Sequence, residues 1–185
     1  MTGPAESARR IEQRTARLRL VALDAELARL QLEDREAFFA ALAARREPAW
    51  PPELIDLPSM RRTLDALMAT PEETGWRAWA FLMLMQGGPD RAVGTGGFYG
   101  PPGADGVIEV GYAMLPSFRE QGLATEAVEG LLAWAFSDPR VKSVRARTLA
   151  HLIGARRVLE KTGFSETGET AEPEGVVVHY QRSAP

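Results

Sequence analysis

The stretch from Val107 to Phe136, VIEVGYAMLPSFREQGLATEAVEGLLAWAF, most constrains what this chain can fold into. Val107 to Leu115 alternates and is rich in β-branched residues, which predicts a strand. Pro116 stops it, because proline supplies no ladder N–H. From Leu123 the apolar residues Ala124, Ala127, Val128, Leu131 and Ala135 fall at the i, i+3, i+4, i+7 spacing of a helix with one buried face. The loop between them carries Arg119-x-x-Gly122-x-Ala124. It opens onto the unpaired N–H groups and the positive dipole end of the helix. Gly122 and Ala124 have almost no side chain to keep a ligand away, so the loop is predicted to bind an anion, most simply a phosphate or pyrophosphate. No Gly-Lys-Ser/Thr follows the glycine and no Gly-x-Gly-x-x-Gly occurs there, which excludes two familiar phosphate motifs.

Around this unit the periodicity alternates between strand and helix. Ala16 to Leu23 reads as a strand, and Asp24 as the N-cap of a helix through about Leu32. A second helix is predicted over Asp34 to Arg46. Trp50-Pro51-Pro52 ends that region, because successive prolines favour extended backbone. Ser59 to Ala69 is a third helix with Met60, Leu64, Leu67 and Met68 inward. Trp76 to Met85 and Arg91 to Tyr99 read as strands, and Gly100 to Gly106 as a hairpin loop. Beyond the central helix, Val141 to Leu149 is a strand, Leu152 to Thr162 a helix ended by Gly163, and Phe164 and Val176 to Arg182 begin and supply the last two strands. This order predicts a mixed sheet with helices packed on it.

The 185 residues suffice for one domain with a substantial core. Net charge is −3, which favours neither nucleic acid nor an anionic membrane. No apolar run approaches the ~20 residues that span a bilayer, and the first residues lack the apolar core of a signal peptide. The expected compartment is the cytoplasm. With no cysteine, thiolate catalysis and Cys-ligated zinc are excluded, and the two histidines stand without a carboxylate cluster, so no metal site is expected.

The residues GVIEVGYAMLPSFREQGLATEAVEGLLAWAF resemble the core of the GNAT superfamily of N-acetyltransferases, especially the branch of ribosomal-protein N-terminal acetyltransferases. Arg119, Gly122 and Ala124 match that family's Gln/Arg-x-x-Gly-x-Gly/Ala, and Thr125-Glu126-Ala127 its continuation. A second block, Arg157-Val158-Leu159-Glu160-Lys161-Thr162-Gly163-Phe164, matches the segment on a later helix in the family's order. The resemblance implies an α/β (α+β) fold, a mostly antiparallel six- to seven-stranded sheet with helices on both faces. Residues 1–14 would be a flexible tail and residues 15–185 a single acetyltransferase domain.

The same resemblance implies an acetyl-CoA site. Backbone N–H groups of Gln121, Gly122, Leu123, Ala124 and Thr125 would hold the pyrophosphate, with the Arg119 and Gln121 side chains nearby. The backbone at Ala113, Met114 and Leu115 would pair with the pantetheine arm like an added strand. The partners implied are acetyl-CoA and an amine acceptor, with a homodimer as the expected assembly. Where relatives carry Asn-x-x-Ser before the second block, this chain has Leu152 and Ala155, and the tyrosine that many members use there as general acid is missing.

Transfer to an amine needs a base that takes a proton directly or through water. Glu109 is the candidate. It shares a strand face with Gly111 and Ala113, opposite Ile108, Val110, Tyr112 and Met114, and its small neighbours leave room for a substrate or a water. A bulge in this strand would redirect it. His151 and His179 are the other conventional bases. The function expected is direct acetyl transfer from acetyl-CoA to a primary amine in a ternary complex. The rival is a non-catalytic acyl-CoA-binding protein, suggested by Leu152 and Ala155.

Overall fold

The structure, a computed structural model, describes residues 10–185. In chain order its strands and helices are β1 (Glu12–Arg14), β2 (Leu18–Ala22), α1 (Ala25–Glu33), α2 (Arg35–Ala41), β3 (Ala44–Arg45), α3 (Leu57–Ala69), β4 (Ala78–Met83), β5 (Asp90–Phe98), β6 (Val107–Met114), α4 (Leu123–Phe136), β7 (Ser143–Leu149), α5 (Ile153–Lys161), β8 (Ser165–Glu172) and β9 (Gly175–Ser183). The sheet order is β1-β2-β4-β5-β6-β7-β9-β8, with β3 attached to β5. All pairs are antiparallel except β6–β7 and β3–β5.

Helices cover both faces, as expected. Leu20, Phe81, Gly94 and Met114 lie opposite one another through the register, and so do Trp79, Gly96 and Tyr112. That face receives α4. Trp134 of α4 packs on Trp76, Trp79 and Phe98 at centroid distances of 4.6, 5.1 and 5.9 Å. Gly130 lets the helix approach closely, since a Cβ there would meet a Leu20 methyl at 2.7 Å. The opposite face, carrying Thr95, Gly97, Glu109, Gly111 and Ala113, faces α1 and α3. Those helices are capped by Asp24, which accepts from the Leu27 N–H at 2.8 Å, and by Asp56, which accepts from the Ser59 N–H at 2.8 Å.

Four expectations need correction. The described sheet has nine strands rather than six or seven, because β1 and β3 are too short to show a period. Residues 12–14, assigned to a tail, pair with Arg19–Val21; residues 1–9 lie outside the described residues. The second helix ends at Ala41 rather than Arg46. There the Leu42 carbonyl accepts from Arg19 at 2.6 Å, Ala43 turns left-handed at φ 50°, and Ala44–Arg45 joins β5. Met68 is 66% exposed, because Met60, Leu64 and Leu67 already fill the inner face of α3.

Candidate active site

The site follows from a pairing that fails part-way along. Strands β6 and β7 pair only through Val107↔Ser143, Ile108↔Val144 and Glu109↔Arg145. Beyond Glu109 they part, and β6 runs on to Met114 held by β5 alone. Antiparallel bonding alternates along a strand. The Leu115 N–H donates to Val93 at 2.9 Å, and the Glu109 carbonyl accepts from Tyr99 at 3.2 Å, so the odd-numbered residues bond to β5. The polar backbone groups of Tyr112 and the N–H of Met114 are left facing the gap. Of Ala113, Met114 and Leu115, the three residues expected to pair with a ligand strand, only Met114 keeps its backbone toward the opening.

A cleft of about 510 Å³ occupies this wedge. Its walls include Val110 to Ala113 of β6, Ala146 to Leu149 of β7, Leu152, Ala155 and Leu159 near α5, and residues of α1 and α3. Pro101, Pro102 and strands β8 and β9 contribute no lining residue. A more open depression of about 610 Å³ beside Arg19 and Asp90 shares no residue with the wedge, and those two charges already pair at 2.9 Å.

At the mouth beyond Met114, the Arg119 loop turns into α4. Gly122 is its N-cap with φ 74°, a left-handed value that favours glycine, and no side chain caps the helix. The N–H groups of Leu123, Ala124 and Thr125 in this first turn have no intrahelical acceptor. The Leu123 side chain is buried, so only its backbone faces the loop. The Arg119 and Gln121 side chains fold back on the loop. Arg119 Nε donates to the Met114 carbonyl at 3.2 Å and Gln121 Nε2 to the Ser117 carbonyl at 3.0 Å.

Sequence reasoning missed Arg17. From the β1–β2 turn it donates through Nη1 to the Gln121 carbonyl at 3.0 Å and through Nε to Glu126 at 2.7 Å. Its Nη2 lies 3.4 Å from where a Cβ on Gly122 would sit, which brings a cation to the anion-binding turn. Thr15 also donates to Glu126, at 2.6 Å. Burial alone would raise the Glu126 carboxyl. The hydrogen bonds from Thr15 and Arg17 outweigh it and hold the group below the ordinary carboxylate range. A Thr-x-Arg before a strand carried no recognisable signal, since its partner lies more than a hundred residues away.

Glu109 sits where the wedge closes, just outside the cleft lining and next to Val110, on the face shared with Gly111 and Ala113. Its Oε1 lies 3.5 Å from Arg147 Nε, and Arg147 Nη1 lies 3.5 Å from Glu172. The β5–β6 register runs unbroken from Gly94↔Met114 to Phe98↔Val110, so no bulge against β5 redirects Glu109. The register break falls instead between β4 and β5, where Val93 is the extra residue.

Tyr112 reaches the other wall. Its hydroxyl donates to the Ala155 carbonyl at 3.0 Å, in the first turn of α5. Burial, with a smaller contribution from Tyr180, pushes this phenol well above its ordinary range. A hydroxyl therefore stands beside Ala155 although the helix itself supplies none. Of the histidines, His151 is exposed and does not line the cleft, and His179 is bonded to Thr170 at 2.8 Å. Among the described residues no group of His, Asp or Glu could hold a metal ion.

This geometry agrees with comparisons to known proteins. Residues 25–165 match the acetyltransferase (GNAT) domain family, which is most of the chain, and the chain belongs to that family. The uncharacterized N-acetyltransferase YjdG of Bacillus subtilis is 39% identical over 80 residues, 43% of this chain and 48% of that protein. The probable N-acetyltransferase YjcK of the same organism is 31% identical over 80 residues, 43% of this chain and 44% of that protein. The chain thus matches less than half the length of these relatives. Among solved structures, RimL, a ribosomal L7/L12 α-N-protein acetyltransferase, in complex with coenzyme A superposes with a TM-score of 0.64 at 17% identity, covering 94% of this chain and 98% of that one. The aminoglycoside acetyltransferase AAC(6')-Ib with coenzyme A gives 0.56 at 22% identity, covering 90% and 94%. These two likenesses concern the fold.

Proposed function

We propose that this chain is an N-acetyltransferase that moves an acetyl group from acetyl-CoA to a primary amine. The observation that carries the reading is the β6–β7 wedge, whose open strand edge leads to an uncapped helix N-terminus beside Arg17. Such a path suits a pantetheine arm ending in a pyrophosphate. The family membership supports it, as do neighbours of the same fold whose structures contain coenzyme A.

Acetyl-CoA supplies an activated thioester carbonyl. The N–H groups of Gly122 to Thr125 and the Arg17 guanidinium would hold its pyrophosphate. Met114 and Tyr112, through their gap-facing backbone, would align the pantetheine arm. Glu109, through a water, would take one proton from the attacking amine, which forms the new amide bond as the C–S bond breaks. Tyr112, kept un-ionised by burial, would turn its single hydroxyl proton from the Ala155 carbonyl to the departing thiolate, whose modest basicity makes it a tolerable leaving group. The transfer would be direct, since the chain has no cysteine to carry the acetyl group as a thioester.

The reading places the reaction in the cytoplasm of a cell, in a homodimer, with no part for nucleic acid; sedimentation checks the assembly. Among the described residues no helix is long and apolar enough to cross a membrane. Calorimetric titration with acetyl-CoA tests the site, and CoA release across amines and peptides tests catalysis. No binding, or binding indifferent to Gly122→Glu, sinks the reading. Binding without turnover of any amine leaves the non-catalytic rival.

A further inference from the structure

The cleft's charges are of one sign. Arg62 of α3, Arg77 before β4 and Arg147 of β7 line it, and no Asp, Glu, Lys or His does. Each acidic partner stands behind its arginine. Glu73 accepts from Arg77 Nε at 2.7 Å, and Glu109 and Glu172 flank Arg147 at 3.5 Å. Arg62 has no ion pair among the described residues. The guanidinium groups at 77 and 147 are thus oriented from outside while donors remain for a ligand. The rim is apolar: Leu54 is 74% exposed, Tyr99 71% and Leu152 39%, and all three line the cleft.

From this arrangement we infer that the acceptor is a monoamine bearing a carboxylate and an apolar side chain, and that polycationic amines are rejected. The inference rests on the acetyl-transfer reading above. A polyamine or aminoglycoside would bring several ammonium groups against three guanidinium groups with no carboxylate in the lining to receive them. A carboxylate instead accepts a forked pair of bonds from arginine. Arg147 is the one that matters most, because it also touches Glu109. An acceptor whose carboxylate binds Arg147 presents its amine next to the proposed base. The same contact draws Arg147 off Glu109, freeing that carboxylate for proton transfer. Free amino acids and acidic peptide N-termini share this chemistry.

The test is steady-state CoA release with L-leucine, L-leucinamide, a short peptide with N-terminal leucine followed by two glutamates, spermidine and kanamycin. We expect the free acid or the acidic peptide to exceed leucinamide by about tenfold or more in kcat/KM. Whichever is used better identifies the source of the carboxylate. Spermidine and kanamycin should not be used. Arg147→Gln and Arg62→Gln should raise KM for the acid-bearing acceptor and erase its advantage over the amide. Unchanged acetyl-CoA affinity by calorimetry confirms that both variants fold. Preference for spermidine or kanamycin, or equal use of acid and amide, overturns the inference. If no amine turns over, N-acetyl-leucine and N-acetyl-leucinamide are titrated into the CoA-loaded protein, and equal or absent binding of the two overturns it as well. Failure of acetyl-CoA itself to bind would instead remove the acetyltransferase reading.

Discussion

Arg17 and Glu126 join the two ends of the anion-binding turn, with Nε to Oε2 at 2.7 Å and the Arg17 backbone N–H to Oε1 at 2.6 Å. The Glu126 carboxylate ties the β1–β2 turn to α4, and Arg17 Nη1 ties in the Gln121 carbonyl of the Arg119 loop. Because the folded state holds Glu126 below its ordinary value of 4.5, the unfolded chain binds the proton more readily. This stabilisation is present above pH 4.5 and is lost as pH falls through the folded value. Glu126→Gln should cost about 1–3 kcal/mol at neutral pH. Its melting temperature should converge on that of the wild type in acid. A constant difference across the pH range would refute the assignment.

Gly122 is the second point of the same turn. Gly122→Ala forces a Cβ into a left-handed residue and should cost about 1 kcal/mol of stability. Gly122→Glu adds a negative charge where the pyrophosphate is proposed to lie and should abolish measurable acetyl-CoA binding in a calorimeter. Arg17→Ala should weaken acetyl-CoA by about tenfold, the loss of one charge-assisted contact, and weaken pantetheine, which lacks the phosphates, far less.

Glu109→Gln keeps the shape and removes the proposed base. Acetyl-CoA affinity should stay unchanged, while kcat on a true acceptor falls by about a hundredfold or more near neutral pH. Unaltered turnover would mean that another group takes the proton.

Tyr112→Phe removes the hydroxyl that faces Ala155. It should lower kcat by about tenfold, the effect of one lost hydrogen bond to the leaving thiolate, with the KM for acetyl-CoA little changed. The raised folded value also has a sign in stability. The contribution is intact below the ordinary phenol value of 10 and declines as pH rises beyond it, since only the unfolded chain ionises there. Chemical denaturation between neutral and strongly alkaline pH should show a shallower decline for the Phe variant.

Gly97 tests the floor of the cleft. At φ 139° it faces the Arg77 carbonyl, and an added Cβ would come within 1.9 Å of that oxygen. Gly97→Ala must push β4 and β5 apart and should cost about 3 kcal/mol or more. A melting temperature within a degree of the wild type would show that the strands yield freely.

The sequence by itself determined what depends on neighbours a few residues apart. The alternation of Val107 to Leu115 and the helical spacing after Leu123 both appear where they were predicted. Asp24 caps α1, and Gly163 takes the left-handed turn after α5 at φ 81°. These features rest on local hydrogen bonds and side-chain periodicity, which a linear reading can see. The short strands β1 and β3 and the early end of α2 escaped it, because each exists only through a partner strand or a distant arginine.

The site was legible in outline only. The Arg119 to Thr125 turn announced an anion, but not that Arg17 would stand over it. Alternation placed Glu109 on a face with Gly111 and Ala113, yet Arg147 reached it only once β6 and β7 paired. The missing hydroxyl at Ala155 is met from Tyr112 on another element. The wedge itself was decided by tertiary structure. Two strands joined over three residues and then parted open an edge toward which Tyr112 and Met114 turn their backbone, and no local pattern in either strand records where the other one leaves it.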